Sequence, residues 1–202
     1  MTAAATGTTT RMKRDECFRI LARQICAPGV GDAVVVATYS SAVEWHAIAP
    51  RALNYFSVGA MGLASSHALG LALARPDRRV IVLDGDGSLL MNLGSLVTIA
   101  AAAPRNLVHL VCNNGCYEAN GSHPIPNPAV DFTALARAAG YAASLEFSDL
   151  GVFAERVGHL LAQDGPVFAT LHVERAQPLT YDYATLYAAD KRRAFKAAFM
   201  AG

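Results

Sequence analysis

Two apolar runs, each halted by a cluster of small polar residues, constrain this chain more than any other feature. The first runs from Val80 to Leu83 and stops at Asp84-Gly85-Asp86-Gly87; the second runs from Leu107 to Cys112 and stops at Asn113-Asn114-Gly115. Between them lies a stretch of helical periodicity, Ser88 to Ala103, closed by a Pro-Arg-Asn turn. Strand, glycine turn, helix and strand make a βαβ unit, and both polar clusters fall at strand C-termini. In an open parallel sheet that edge is where ligands bind. The 25 residues between Gly87 and Asn113 suffice for one helix and a return strand. An acidic oxygen of Asp86 and an amide oxygen of Asn113 or Asn114 therefore converge on one point.

Such a pair suits a hard cation. Mg²⁺ takes one or two protein oxygens and completes its octahedron with phosphate oxygens and water. Gly85 and Gly87 let the backbone approach a phosphate, and a helix beginning near Ser88 turns free N–H groups toward it. The pattern describes a Mg²⁺-diphosphate site. A dinucleotide fingerprint fails, because Leu90 stands where a third glycine is required. An EF-hand loop fails as well, with Leu89 at the glycine position and Ser95 at the bidentate glutamate position. A bare structural turn is the simplest account of Gly-Asp-Gly alone; the Asn pair at the end of the next strand argues against it.

Gly-Asp-Gly followed after 25 residues by Asn-Asn resembles the signature of thiamine-diphosphate-dependent enzymes, in their diphosphate-binding (PP) domain. The segments VGAMGLASSHALGLALA, VIVLDGDGSLLMNLGSL and NNGCY are similar to the separate β subunits of sulfopyruvate and phosphonopyruvate decarboxylases. The likeness covers most of Met12 to about Glu174. It implies thiamine diphosphate and Mg²⁺ as cofactors, which spacing alone does not distinguish from other diphosphates. It also implies the ligand set: Asp86 and Asn114 through their side chains and Cys116 through its carbonyl hold the metal. Gly85, Gly87, Ser88 and the hydroxyls of Ser40 and Ser41 serve the diphosphate. Gly59, Ala60 and Met61 serve the aminopyrimidine, with Met61 wedged between the two rings, and Tyr117 borders the cofactor. On packing alone Met61 is a core filler, and Ser41 is equally a cap for a helix running through Trp45.

Composition adds bounds. Hydrophobic residues make up 53% and charged residues 16% of 202 residues, with mean hydropathy +0.27. That suits one doubly wound α/β domain, a mainly parallel sheet buried by helices on both faces. The net charge of +1 gives no footprint for nucleic acid, and no apolar run is long enough to span a membrane. The expected organisation is a disordered tail over 1–10, a PP domain over 11–178 and a helical extension over 179–202. Cys17, Cys26, Cys112 and Cys116 form no CxxC pair and read as reduced thiols of a cytoplasmic protein.

Along the chain, Arg11 to Cys26 reads as a helix with Cys17, Ile20, Leu21 and Ile25 on its apolar stripe and basic residues opposite. Pro28-Gly29 ends it, and Asp32 to Thr38 is a buried strand. Pro50 to Phe56 reads as a loop. The following helix is expected to bury Leu63, His67, Gly70, Leu71 and Ala74. Gly115 to Pro128 reads as an irregular loop over the site, with Glu118 the one possible catalytic acid and His123 solvated. His67 and His109 read as structural. Arg51 and Arg105 are the loop cations considered for a substrate anion. A helix over 131–140, a strand near 142–145, a helix capped by Ser148-Asp149, a strand over 167–174 and a tail helix from Tyr183 to Met200 complete the pattern.

In the family, the glutamate that activates the cofactor comes from a separate pyrimidine-binding (PYR) domain. The resemblance thus implies a PYR-domain (α) partner chain, a hetero-oligomer such as α₂β₂, a 2-oxo acid substrate, and inactivity of this chain by itself. A carboligase or oxidoreductase subunit, or a non-catalytic cofactor-binding scaffold, stands as the alternative.

Overall fold

Every strand of the main sheet alternates side chains between two helical layers, and this alternation builds the fold. The computed structural model describes residues 11–25, 31–177 and 179–201. In chain order it contains α1 (Arg14–Ile25), β1 (Val34–Ala37), α2 (Tyr39–Ile48), β2 (Asn54–Phe56), α3 (Ala64–Ala74) and β3 (Val80–Gly85). Then come α4 (Asp86–Met91), α5 (Ser95–Ala102), β4 (Leu107–Asn113), β5 (Cys116–Tyr117), a short 3₁₀ turn (Glu118–Asn120) and β6 (His123–Pro124). The chain ends with α6 (Phe132–Ala139), β7 (Ala143–Phe147), α7 (Leu150–Ala162), β8 (Val167–His172), α8 (Tyr183–Leu186) and α9 (Ala189–Met200).

Six strands pair in parallel in the order β2-β1-β3-β4-β8-β7. Val35, Ala37, Ile81 and Leu83 face one side and pack with Phe18, Leu21, Trp45 and Phe153 of α1, α2 and α7. Val34, Val36, Val80 and Val82 face the other and pack with Ala64, Ala68, Ile99 and Phe132 of α3, α5 and α6. Strands buried on both faces must be apolar throughout, which is why these runs carry no polar alternation. Asp131 and Asp149 cap α6 and α7, accepting from Ala134 and Val152 backbone N–H groups at 2.8 and 2.9 Å.

The chain leaves β1 toward β2 on one side and places β3 on the other. The sheet order therefore reverses between β1 and β3, and a crevice opens beyond their C-terminal ends. His109 sits in the middle of β4, fully buried, with Nε2 3.2 Å from Asp84 Oδ2 and Nδ1 3.3 Å from the Tyr141 hydroxyl.

Several elements differ from expectation. The segment read as a loop over 50–56 contains β2, a three-residue edge strand whose only requirement is register with β1. The single helix expected over Ser88 to Ala103 is two, α4 and α5, broken at Asn92–Gly94, where the Asn92 side chain donates to the Gly62 carbonyl at 3.0 Å. Val97, an apolar residue within that periodic stretch, is 62% exposed. In α3 the buried face is Ala64, Ser65, Ala68 and Ala72, while Leu63, Gly70 and Ala74 are exposed. Small residues at every register leave the periodicity unable to choose a face. The loop over 115–128 holds the antiparallel pair β5–β6. The tail helix is two helices, and α9 docks on the chain's own sheet edge, with Phe195 against Tyr55 at 5.4 Å and Phe199 buried. The expected tail over 1–10, Cys26, the Pro28-Gly29 stop and Pro178 lie outside the described residues.

Candidate functional site

Three strand ends deliver the site. β1 feeds Thr38, Tyr39, Ser40 and Ser41; β3 feeds Gly85, Asp86, Gly87 and Ser88; β4 feeds Asn113 and Asn114. All of these except Asn113 line one cleft, with Met61, Cys116, Tyr117 and Glu118 on its other walls. Gly59 and Ala60 are exposed on the turn leading to Met61 and do not line this cleft.

Asp86 is the acid of the cleft. It is 2% exposed, its Oδ1 accepts from Gly87 N–H at 2.7 Å and its Oδ2 from Gly115 N–H at 2.6 Å. Burial pushes this carboxyl up to about 6, against the pull of those backbone donors. Its neighbour Asp84 points away, into the core, accepting from Gly85 N–H at 2.9 Å and facing His109. Asn114, 6% exposed, accepts at Oδ1 from Cys116 N–H at 3.0 Å and donates from Nδ2 to Glu118 at 2.8 Å. Asn113, the other candidate of the pair, ends β4, and Arg11 donates to its carbonyl at 2.9 Å.

The backbone geometry fits a phosphate. A side chain at Gly85 would meet nothing within 4 Å, so this glycine faces open space. Gly87 is glycine for a different reason: a Cβ there would lie 2.5 Å from the Tyr117 ring. Ser88 is already engaged, its hydroxyl accepting from Gly62 N–H at 3.1 Å and so tying α4 to the turn that carries Met61. The helix begins at Asp86, two residues before the expected Ser88. Tyr39 opens α2 at a φ of 42°, a costly backbone state for a residue with a side chain, at the edge of the cleft.

Ser41 does not cap a helix. It lies inside α2, whose N-cap position is Thr38, and Thr38 spends its hydroxyl on the Ser57 carbonyl at 2.8 Å. Ser40 lines the cleft with its hydroxyl 2.6 Å from that of Tyr181. Tyr181 begins a tyrosine stack continued by Tyr183 and Tyr187 at 5.7 and 6.1 Å. The Tyr187 hydroxyl lies where a Cβ on Gly59 would stand, at 2.1 Å, and Gly59 itself has a φ of 99°. Nothing in the sequence pattern linked these tyrosines to Ser40 and Gly59.

Arg14 is the larger omission. Read as part of a solvated basic face, it is 5% exposed and reaches the cleft wall, paired with Glu44 and Glu118. Glu118 is therefore tied into an ion-pair cluster. His123 is exposed; His67 Nδ1 is 2.9 Å from the Ser57 hydroxyl. Arg105 pairs with Asp164, and Arg51 donates to the Gly31 carbonyl at 2.5 Å, both away from the cleft. Cys17, Cys112 and Cys116 are buried free thiols; burial pushes Cys17 up to about 12 and raises the other two.

A buried carboxylate with only N–H partners, an amide oxygen beside it and a glycine open to the cleft make a donor set for a hard cation with a phosphate. Residues 29–171 match the family described as thiamine pyrophosphate enzyme, C-terminal TPP binding domain. The chain is 43% identical over 141 residues to a phosphonopyruvate decarboxylase of Streptomyces viridochromogenes, covering 70% of this chain and 35% of that protein. It is 44% identical over 131 residues to sulfopyruvate decarboxylase subunit beta of Methanothermobacter thermautotrophicus, covering 65% of this chain and 68% of that one. The chain thus spans about a third of the phosphonopyruvate decarboxylase it matches. In fold it resembles benzoylformate decarboxylase from Polynucleobacter necessarius, with a TM-score of 0.68 at 19% identity over 89% of this chain and 36% of that one. No helix among the described residues is long and apolar enough to cross a membrane.

Proposed function

The chain belongs to the thiamine pyrophosphate enzymes, and from that premise we propose that it is the diphosphate-binding, β-like subunit of a Mg²⁺-dependent 2-oxo acid decarboxylase of the phosphonopyruvate or sulfopyruvate type. The observation that carries the reading is that Asp86 and Asn114, beyond the adjacent ends of β3 and β4, line one cleft with the residues that follow β1. In this reading Asp86 and Asn114 hold Mg²⁺ by their side chains and Cys116 by its carbonyl. Gly85, Gly87 and Ser88 with Ser40 and Ser41 receive the diphosphate, Tyr117 walls the cleft beside it, and Gly59, Ala60 and Met61 take the aminopyrimidine. When bound, thiamine diphosphate supplies the carbanion nucleophile and the electron sink that decarboxylation needs.

The chain's own contribution is electrostatic and geometric. Burial disfavours the charged form of Asp86, and a cation held beside it offsets that cost. The carboxylate that activates the aminopyrimidine belongs to a partner chain with a PYR domain, and the relatives named subunit beta support such a partner. Residues 11–178 form the cofactor-binding domain and 179–202 an extension along its edge. The test is calorimetric titration of thiamine diphosphate with Mg²⁺ into this chain, alone and with the PYR-domain chain. Binding should tighten with the partner, and the pair should release CO₂ from 3-phosphonopyruvate or 3-sulfopyruvate. Absence of binding in both mixtures would overturn the reading.

A further inference from the structure

The buried cluster behind the cleft joins three separate parts of the chain. Arg14, in the first turn of α1, donates from Nε and Nη2 to Glu44 of α2 at 2.7 and 3.0 Å. It donates from Nη1 and Nη2 to Glu118 at 2.5 and 3.1 Å. Burial works against the charge of this guanidinium, but the two carboxylates outweigh it and hold its proton more firmly than usual. The Glu118 Oε2 that faces Arg14 also accepts from Asn114 Nδ2 at 2.8 Å. The two glutamates balance and exceed the single positive charge, so Arg14 has none to spare for a diphosphate.

We infer that Arg14 and Glu118 are positioning residues that decide which end of the Asn114 amide faces the cleft. This rests on the reading of the cleft as a Mg²⁺-diphosphate site. An asparagine side chain presents an oxygen acceptor at one end and an NH₂ donor at the other, and only its surroundings choose between them. A carboxylate clamped by a guanidinium offers acceptors alone. Asn114 must therefore give its NH₂ to Glu118, which turns Oδ1 the other way, to where it accepts from Cys116 N–H at 3.0 Å. Oδ1 is the atom a hard cation needs; the flipped amide would meet the cation with N–H groups. Partners behind a metal ligand commonly set its orientation in this manner. Both Glu118 oxygens are engaged by Arg14 and Asn114, so Glu118 acts through Asn114 and is not the acid or base of the reaction.

Two measurements on the full chain separate the possibilities. The first follows the Asn114 side-chain NH₂ by NMR in the protein without ligands. In the parent its two protons should be distinct and protected from exchange; in Glu118→Gln and Glu118→Ala that protection should fall, and in Arg14→Lys it should fall partly. An unchanged Asn114 signal in folded Glu118→Ala would overturn the clamp, whatever the cleft binds. The second titrates Mg²⁺ at fixed thiamine diphosphate with the partner chain present. Glu118→Gln should need about tenfold more Mg²⁺ for half-maximal cofactor binding, as loss of a partner behind a ligand does, and excess Mg²⁺ should restore both binding and turnover. Loss of turnover with an unaltered Mg²⁺ requirement would make Glu118 a catalytic residue and overturn the positioning role. If the parent itself binds no cofactor, the reading of the cleft fails, while the NMR result still decides the clamp.

Discussion

Asp84 and Asp86 come from one four-residue turn and lead to opposite outcomes. Asp84 is the last acid of β3 on the face that looks into the α3–α5–α6 layer, where His109 and Tyr141 complete a buried polar network. Asp86, two residues later, has left the strand and looks into the cleft, where its partners are backbone N–H groups and the Asn114 loop. Satisfaction of both its oxygens within the core, by Gly85 N–H and by His109, makes the first a structural group. A place in the cleft, with open space beside Gly85, makes the second the group proposed to take a cation. The sequence spacing is the same for both; the change from strand to helix between them makes the difference.

The widest separation should come from exchanging the acids one at a time. Asp86→Asn should abolish Mg²⁺-dependent binding of thiamine diphosphate in calorimetry while changing the melting temperature little, because the buried charge it removes offsets the acceptor lost to one of the two backbone N–H groups. Retained Mg²⁺-dependent affinity would refute the metal assignment. Asp84→Ala should do the converse. It should cost about 1–3 kcal/mol in urea unfolding, as leaving a buried hydrogen-bonding partner unpaired does, with cofactor affinity per folded molecule little changed. Equal effects of the two substitutions on stability would erase the contrast.

The cleft and its surroundings were unequally legible in the sequence. β1, β3 and β4 are apolar along their lengths except for the paired Asp84 and His109, as parallel strands buried on both faces must largely be; glycine and asparagine at their ends then mark the ligand edge. The residues of β2 carry no such signal, since an edge strand of three residues needs only a neighbour in register. Arg14 was hidden for a related reason. Its partners lie 30 and 104 residues away, so on a helical wheel it is another cation on the polar face of α1. The break between α4 and α5 escaped notice because Leu89, Leu93 and Leu96 keep helical spacing across it, and the Asn92 bond to Gly62 that marks the break is tertiary. At Gly87 the structure adds a contact the spacing could not show: the Tyr117 ring takes the space a side chain there would need.

A pH series on the ligand-free chain sharpens the comparison at lower amplitude. The Asp86 carboxyl is raised from 3.8 to about 6, so the folded chain binds its proton more tightly than the unfolded chain. Its stabilising contribution is complete below pH 4, declines as pH rises through the window between those values, and is absent above about 6. The loss amounts to at most about 3 kcal/mol. Urea unfolding at pH 4 to 7 should show this decline in the parent and not in Asp86→Asn. Mg²⁺ with thiamine diphosphate should reverse it above pH 6, where the carboxylate is free to take the cation. A decline of the same size in Asp86→Asn would assign it to another group.

The smallest effect is expected at the rim, where the cleft meets the tail. Tyr181→Phe removes one hydroxyl, the partner of Ser40 at 2.6 Å, and leaves the stack on Tyr183 in place. A single hydrogen bond between partly buried groups contributes about 1 kcal/mol. Hydrogen exchange over 180–188 should therefore quicken several-fold in the ligand-free chain, with the Asp84 network and the core strands unaffected. The change in cofactor affinity is the more informative number. The Ser40 hydroxyl is held by Tyr181 in the ligand-free chain and is proposed to meet the diphosphate, so freeing it should strengthen cofactor binding slightly. If Tyr181→Phe instead weakens binding, the tyrosine hydroxyl is part of the cofactor's own surroundings, and the cleft extends from the strand ends into the tail.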